Sequence, residues 1–277
     1  MHIQSPPATR DFRFFITGVY FGVLLIFVAV WLQSPPCRNC FLNYFSNIYL
    51  AIPFLGAVFG LIRMRRERLS ILNSVYNLAL LLFCMGILLW SLGNVVWMFH
   101  NFVLKTEIPY PSLADAGYLS NLVLWIIGIL ILYKIAGTNP FQEIATPVPI
   151  VLAIAGAIIW ITLAVRGGQF DPSGDIVKFF LDIIYPLGGV SNFTLLLAFV
   201  LGPSAEKIGL ESHWAIYFIS LGILCNLVAD FSLTFTTSLP AGHPFAYYNG
   251  NWSDFFYATA FYFLAMGVLL LPNKLKG

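Results

Sequence analysis

Charge is scarce in this sequence. Asp, Glu, Lys and Arg make up 9% of 277 residues, against 59% hydrophobic and 17% aromatic, and the mean hydropathy is +0.84. Soluble domains carry roughly 25% charged residues, so this scarcity excludes a water-soluble globule and points to an integral membrane protein. Histidine and cysteine are sparse too, at four each. His2, His100, His213 and His243 form no H-E-x-x-H or other paired helical set. A zinc site built from His100, His243, Cys37 and Cys40 would need three separate loops to converge, so no metal site is expected. Cys37 and Cys40 in "CRNC" lack the following histidine of a covalent haem motif and are candidates for a disulfide. There is no P-loop, no G-x-G-x-x-G opening a helix and no G-x-S-x-G. Soluble enzymology is thereby excluded, no catalytic residue is expected, and the sequence names no cofactor.

What the chain has in quantity is long apolar runs. Crossing the hydrocarbon as a helix takes about 20 apolar residues. Eight such segments can be laid along the chain, at 14–32, 44–62, 71–99, 114–133, 147–165, 176–201, 213–237 and 253–272. The expected fold class is an all-α polytopic membrane protein, since the strict alternation of barrel strands is missing. Lys and Arg are retained on the cytoplasmic side. With the N-terminus inside, ten of the 14 basic residues fall on that side, and "RMRRER" from Arg63 is the strongest vote. That run reads as a topology anchor rather than a nucleic-acid site. Both termini are then cytoplasmic, and Cys37 and Cys40 lie outside, where a disulfide can persist. The first apolar run lacks a small-residue cleavage site and is expected to remain as an anchor.

The chain also reads as one fold written twice. Placing Asp115 on Asp254 puts Tyr118 on Tyr257 and Gly128 on Gly267, and placing Gly86 on Gly222 puts Asn94 on Asp230 and Phe99 on Phe235. Pro53 and Gly56 face Pro186 and Gly189, with a weaker match of Trp31 to Trp160. The expectation is a tandem repeat of four spans plus four, 1–140 and 141–277. Four is even, so the repeat is parallel, about an axis along the membrane normal.

Few polar residues interrupt these spans, and each needs a reason. Ser112 followed three residues later by Asp115 is a capping-box pattern before an apolar run, and Asn251 with Asp254 repeats it. The first amides of a helix in lipid have no water to turn to, so the chain supplies acceptors there. Asn94 and Asp230 lie deeper, about 10 Å from the outer end at 1.5 Å per residue. A charge there costs on the order of 3 kcal/mol unless it faces protein or a wet cavity. Two roles stay open for this pair: a hydrogen-bonded clamp between the halves, or a ligand or proton site. Asp182 and Tyr185, three residues apart, share a helix face ahead of Pro186. Trp90, Trp97, Tyr118, Phe256, Tyr257 and Tyr262 either line an aromatic cavity beside them or form packing and an interfacial belt. The candidate ligand residues are therefore Asn94, Asp230, Asp182, Tyr185 and Trp90. Cys84 and Cys225, single and within spans, read as small core residues.

At "IPYPSLADAGYL", preceded by "WSLGNVVW", the chain resembles the polytopic N-terminal sensor regions of bacterial and archaeal signalling proteins. There a P-S-x-A-D-x-x-Y-like segment opens a span and a diguanylate cyclase or histidine kinase module follows. The local match covers Trp90 to Gly128. The resemblance implies a prokaryotic cytoplasmic membrane and a small apolar or amphipathic ligand. The chain stops at "LLLPNKLKG" without an output module, so a signal is expected to pass to a separate membrane protein partner. Beside a stand-alone sensory module stand two alternatives: an accessory subunit of a larger complex, such as one carrying quinones or pigments, and a small-solute or proton-coupled carrier.

Overall fold

The computed structural model describes residues 7–32, 45, 47–67, 75–106, 108–109, 111–144, 148, 151, 156, 176–208, 210–237, 239 and 250–271. The described residues are helical, with no strand among them. The long helices are α1 (Pro7–Trp31), α2 (Ala51–Arg66), α3 (Val75–Phe99), α4 (Leu113–Ala136), α6 (Ile176–Leu201), α8 (Leu210–Thr237) and α9 (Trp252–Leu270). Two short helices, α5 (Pro140–Glu143) and α7 (Pro203–Lys207), follow α4 and α6. Six helices among the described residues are long and apolar enough to cross a membrane: Arg10–Ala29, Asn47–Arg66, Val75–Leu104, Leu113–Ala136, Ser212–Leu233 and Trp252–Leu270. The expected fifth span, 147–165, falls almost wholly outside the described residues. In the sixth, the apolar stretch is Leu187–Leu201.

Several boundaries move for local reasons. The third span runs past Phe99 into a π-helical turn, His100–Leu104, and stops at Lys105, whose φ of 53° reverses the chain. The second span carries on through the arginines to Arg66, and Pro53 is tolerated because it sits in the first turn of α2, where no intrahelical amide bond is lost. α4 ends at Gly137 in the left-handed conformation, φ 65°, a position that favours glycine. α5 begins at once, capped by Asn139 and opened by Pro140.

Two antiparallel hairpins dominate the packing, α3 with α4 and α8 with α9. α2 lies against α3 and also against α9; α6 lies against α8 and also against α4. Glycines set the close approaches. A Cβ on Gly86 would strike Trp125 and Asn121, and one on Gly222 would strike Leu264 and the carbonyl of Ala260. One on Gly128 would press on Phe83, and one on Gly267 on Ile219. Lipid gives helices no hydrophobic reason to associate, so such small-residue contacts, which gain dispersion energy, hold the hairpins together.

α1 stands at the margin. It touches α9 and α2, through a Tyr20–Tyr262 stack at 4.1 Å and a Phe12–Phe59 stack at 4.3 Å. Tyr20 exchanges a 3.1 Å hydrogen bond with Thr259, and Thr17 one of 3.4 Å with Tyr262. Its outer face exposes Phe14, Phe15, Phe21 and Leu25, the pattern of a helix facing acyl chains.

Arg63 was expected to anchor the inner face with the rest of "RMRRER". It is buried instead. Its guanidinium donates to the carbonyls of Val268 (3.3 Å), Leu269 (3.1 Å) and Leu271 (2.6 Å) and pairs with Glu67 at 3.3 Å. These carbonyls close the C-terminal end of α9, which has no further turn to satisfy them. A cation there also complements the helix dipole.

Candidate functional site

The polar residues gather where α4, α6, α8 and α9 come together, at the N-terminal ends of α4 and α9. Ser112 caps α4: its hydroxyl accepts from the amide of Ala114 at 3.3 Å, and its own amide donates to Asp115 Oδ2 at 2.6 Å. This is the capping box the sequence pattern describes. Asn251 caps α9 by accepting from the amide of Ser253 at 2.9 Å, and Asp254 accepts from the amide of Gly250 at 2.5 Å.

Both aspartates have a second partner that the pattern did not indicate. Tyr185 of α6 donates to Asp115 Oδ1 at 2.6 Å. Tyr49, at the start of the second span, hydrogen-bonds Asp254. Each cap is thus tied to a tyrosine from the other half of the sequence. A carboxylate removed from water must be met by donors on both oxygens, and the tyrosines supply what the backbone does not.

Asp230 points at α9. Tyr257 donates to its Oδ1 at 2.6 Å, and Asn226, one turn earlier on α8, to its Oδ2 at 2.8 Å. Asn94 takes no part in this: its amide donates to the carbonyl of Trp90 on its own helix at 3.2 Å. Of the two roles left open for this pair, the clamp between Asn94 and Asp230 is not formed. The i, i+4 spacing of Asn226 and Asp230 was visible in the sequence as a same-face pair, and it supplies the partner that Asn94 does not. Ser232 and Ser253 add a 3.0 Å bond between α8 and α9.

Trp90 belongs to an aromatic cluster, 3.8 Å from Phe261 and about as close to Tyr118 (5.8 Å) as to Tyr257 (5.7 Å), measured between ring centroids. It is buried core rather than a cavity wall. Tyr118 differs from its neighbours. The residue is partly exposed, and Asp115 and Asp230 both act on it electrostatically, yet its hydroxyl bonds no described residue. Cys84 is buried and Cys225 half-buried, both as free thiols. The side chain of Asp182 lies outside the described residues, as do Cys37, Cys40 and His243. Among the described residues no group of three His, Cys, Asp or Glu side chains is placed to hold a metal ion.

Chemically, each carboxylate oxygen of Asp115 and Asp230 already has a donor, and the phenols of Tyr185 and Tyr257 are committed to them. What the cluster offers a newcomer is one phenolic donor, Tyr118, beside an indole and two further phenols. Such a group can hold an acceptor oxygen on an apolar molecule.

Fold and cluster together define a multi-pass helical membrane protein whose buried acids are paired with tyrosines. No protein-family model matches the chain, and no match is found among curated proteins or solved structures.

Proposed function

We propose that this chain is a non-catalytic protein of a prokaryotic cytoplasmic membrane, composed of two related four-span halves, 1–140 and 141–277, with both termini cytoplasmic. It binds a small amphipathic ligand near the outer ends of α4 and α9 and acts through a membrane protein partner. The bias of basic residues supports the orientation. The halves are supported by equivalent contacts. An offset of 136 residues carries Gly86 to Gly222 and Phe83 to Ile219, while one of 139 carries Trp125 to Leu264 and Gly128 to Gly267. Each glycine thus meets the same structural partner in either half.

The observation that carries the ligand is Tyr118. Its counterpart, Tyr257, spends its hydroxyl on Asp230. The counterpart of Asp230 is Asn94, which turns back to the carbonyl of Trp90. Replacing the acid by an amide in one half leaves Tyr118 a donor without an acceptor. The acceptor it lacks is a carbonyl or ether oxygen, which a flat apolar molecule such as a quinone would supply from the partly exposed side of Tyr118. A proton-coupled carrier is supported less, because both oxygens of Asp230 are engaged.

Thermal unfolding of the purified protein against a panel of quinones, isoprenoids and pigments tests this. A ligand that binds the folded state raises Tm; a gain of 1 kcal/mol corresponds to about 2–4 °C for a protein of this size. Tyr118→Phe should abolish the shift while leaving the unliganded Tm nearly unchanged. A flat response across the panel, or a shift that survives Tyr118→Phe, rejects the site. The accessory-subunit reading shares the architecture and expects a stable complex in native mass analysis from mild detergent.

A further inference from the structure

A second polar site lies at the opposite ends of the helices, where α4 and α6 finish. Gly137, Thr138, Asn139, Gln142 and Glu143 on one side, and Ala198, Leu201, Gly202, Pro203 and Lys207 on the other, enclose a cavity of about 530 Å³. Glu143 is the informative residue. It is 91% buried, its exposure being 9%. Its Oε1 accepts from Ser204 at 2.8 Å, and Ser204 in turn meets Thr138. Its Oε2 has no partner. A Cβ on Gly202 would land on that oxygen, so only glycine lets the chain pass this close to it. A buried carboxylate oxygen without a donor costs free energy, and the cavity beside it is where a donor would come from.

Lys207 also lines the cavity; it is exposed and forms no ion pair with Glu143. One cavity therefore presents an anion in want of N–H donors and, apart from it, a cation. A zwitterion with a primary ammonium and a phosphate complements both.

A separate groove of about 360 Å³ lies next along the same helices. It is walled by Val190, Ser191, Thr194 and Leu195 of α6 and, opposite, by Ile144, Val148 and Val151. Ala198 and Leu201 continue the α6 wall into the cavity at the i+4 and i+7 spacing of one helix face, and Ile144 follows Glu143 directly. Thr194 spends its hydroxyl on the carbonyl of Val190 at 2.6 Å, leaving an almost wholly apolar channel. Phe141, 83% exposed beside the cavity, suits the membrane boundary.

We infer that this is a binding site for a phospholipid with a primary-amine headgroup: the ammonium on Glu143 Oε2, the phosphate at Lys207 and an acyl chain in the groove. A phosphatidylethanolamine has this chemistry. A quaternary ammonium offers charge but no N–H, and a glycerol headgroup offers no charge to Glu143. The inference does not depend on the ligand proposed for Tyr118.

The test uses the full-length protein, delipidated in detergent and titrated with dioleoyl phosphatidylethanolamine, the matching phosphatidylcholine and phosphatidylglycerol, and soluble glycerophosphoethanolamine. Binding is read by native mass spectrometry and Tm. The ethanolamine lipid should bind at least tenfold more tightly than the other two, and the soluble headgroup should neither bind nor compete at millimolar concentration. Glu143→Gln keeps an acceptor for Ser204 but should erase the preference. Lys207→Gln, at an exposed position that does not endanger folding, should weaken the ethanolamine lipid several-fold. Thr194→Phe, which fills the groove, should reduce all lipid retention. Equal binding of the three lipids, or a preference unchanged in both Glu143→Gln and Lys207→Gln, overturns the headgroup assignment. Binding of the soluble headgroup as tight as that of the lipid overturns the lipid assignment in favour of a soluble aminophosphate.

Discussion

Arg63 shows how much a run of like residues conceals about one of its members. In the sequence it is one of a run of arginines, and a run of arginines beside a span marks the cytoplasmic boundary. Nothing in the run distinguishes the member that turns inward, because its partners, the last carbonyls of α9, are 205 to 208 residues away. The caps are the opposite case. Ser112 and Asp115 are three residues apart, so their relation is local and could be read directly. The tyrosines that complete them are distant, and a tyrosine in an apolar run reads as any other aromatic. Two predictions belong at this scale. Arg63→Met should destabilise the protein by about 3 kcal/mol, since two or three buried acceptors each lose a charge-assisted bond, and Arg63→Lys should recover only part of that, because an ammonium lacks the planar fork. Both are measured as the shift in Tm in detergent. Pairing Asp115→Asn with Tyr185→Phe in a double-mutant cycle should show a coupling of about 1–2 kcal/mol. Combining Asp115→Asn with Tyr133→Phe, whose hydroxyl goes to the carbonyl of Leu195, should be additive.

At the scale of elements, six of the eight expected spans are found among the described residues as helices long and apolar enough to cross a membrane, because exclusion of charge over 20 residues is a long and redundant signal. Hydropathy located their ends less well. α2 continues through three arginines, and α3 runs on through a π-helical turn that no apolar count foretells. The short helices α5 and α7 are invisible to a search for spans, yet they bring Glu143 and Ser204 together. Their starts were legible in another way, as Asn-Pro and Gly-Pro steps at the chain's exits from α4 and α6. The hairpins supply a prediction that treats the halves alike. Gly86→Leu and Gly222→Leu each introduce a branched side chain where a Cβ already collides with the facing helix. Each should lower Tm severely or prevent accumulation of folded protein, as judged by size-exclusion chromatography, whereas Gly22→Leu on α1, where a Cβ would meet nothing, should be silent.

At the scale of the whole molecule, α1 poses a problem of order rather than of contact. It leaves the ribosome well before α9, since Thr259 and Tyr262, the residues its Tyr20 and Thr17 bond, are made 239 to 245 residues later. Through nearly the whole of synthesis those two hydroxyls sit in the bilayer without the neighbours they end with. Both are of a kind that a helix in lipid tolerates, a threonine able to bond its own preceding turn and a tyrosine with a large apolar body. A carboxylate in either place would have had no such interim shelter. α1 can come to rest only on a helix made long after it, so this part of the assembly waits for α9.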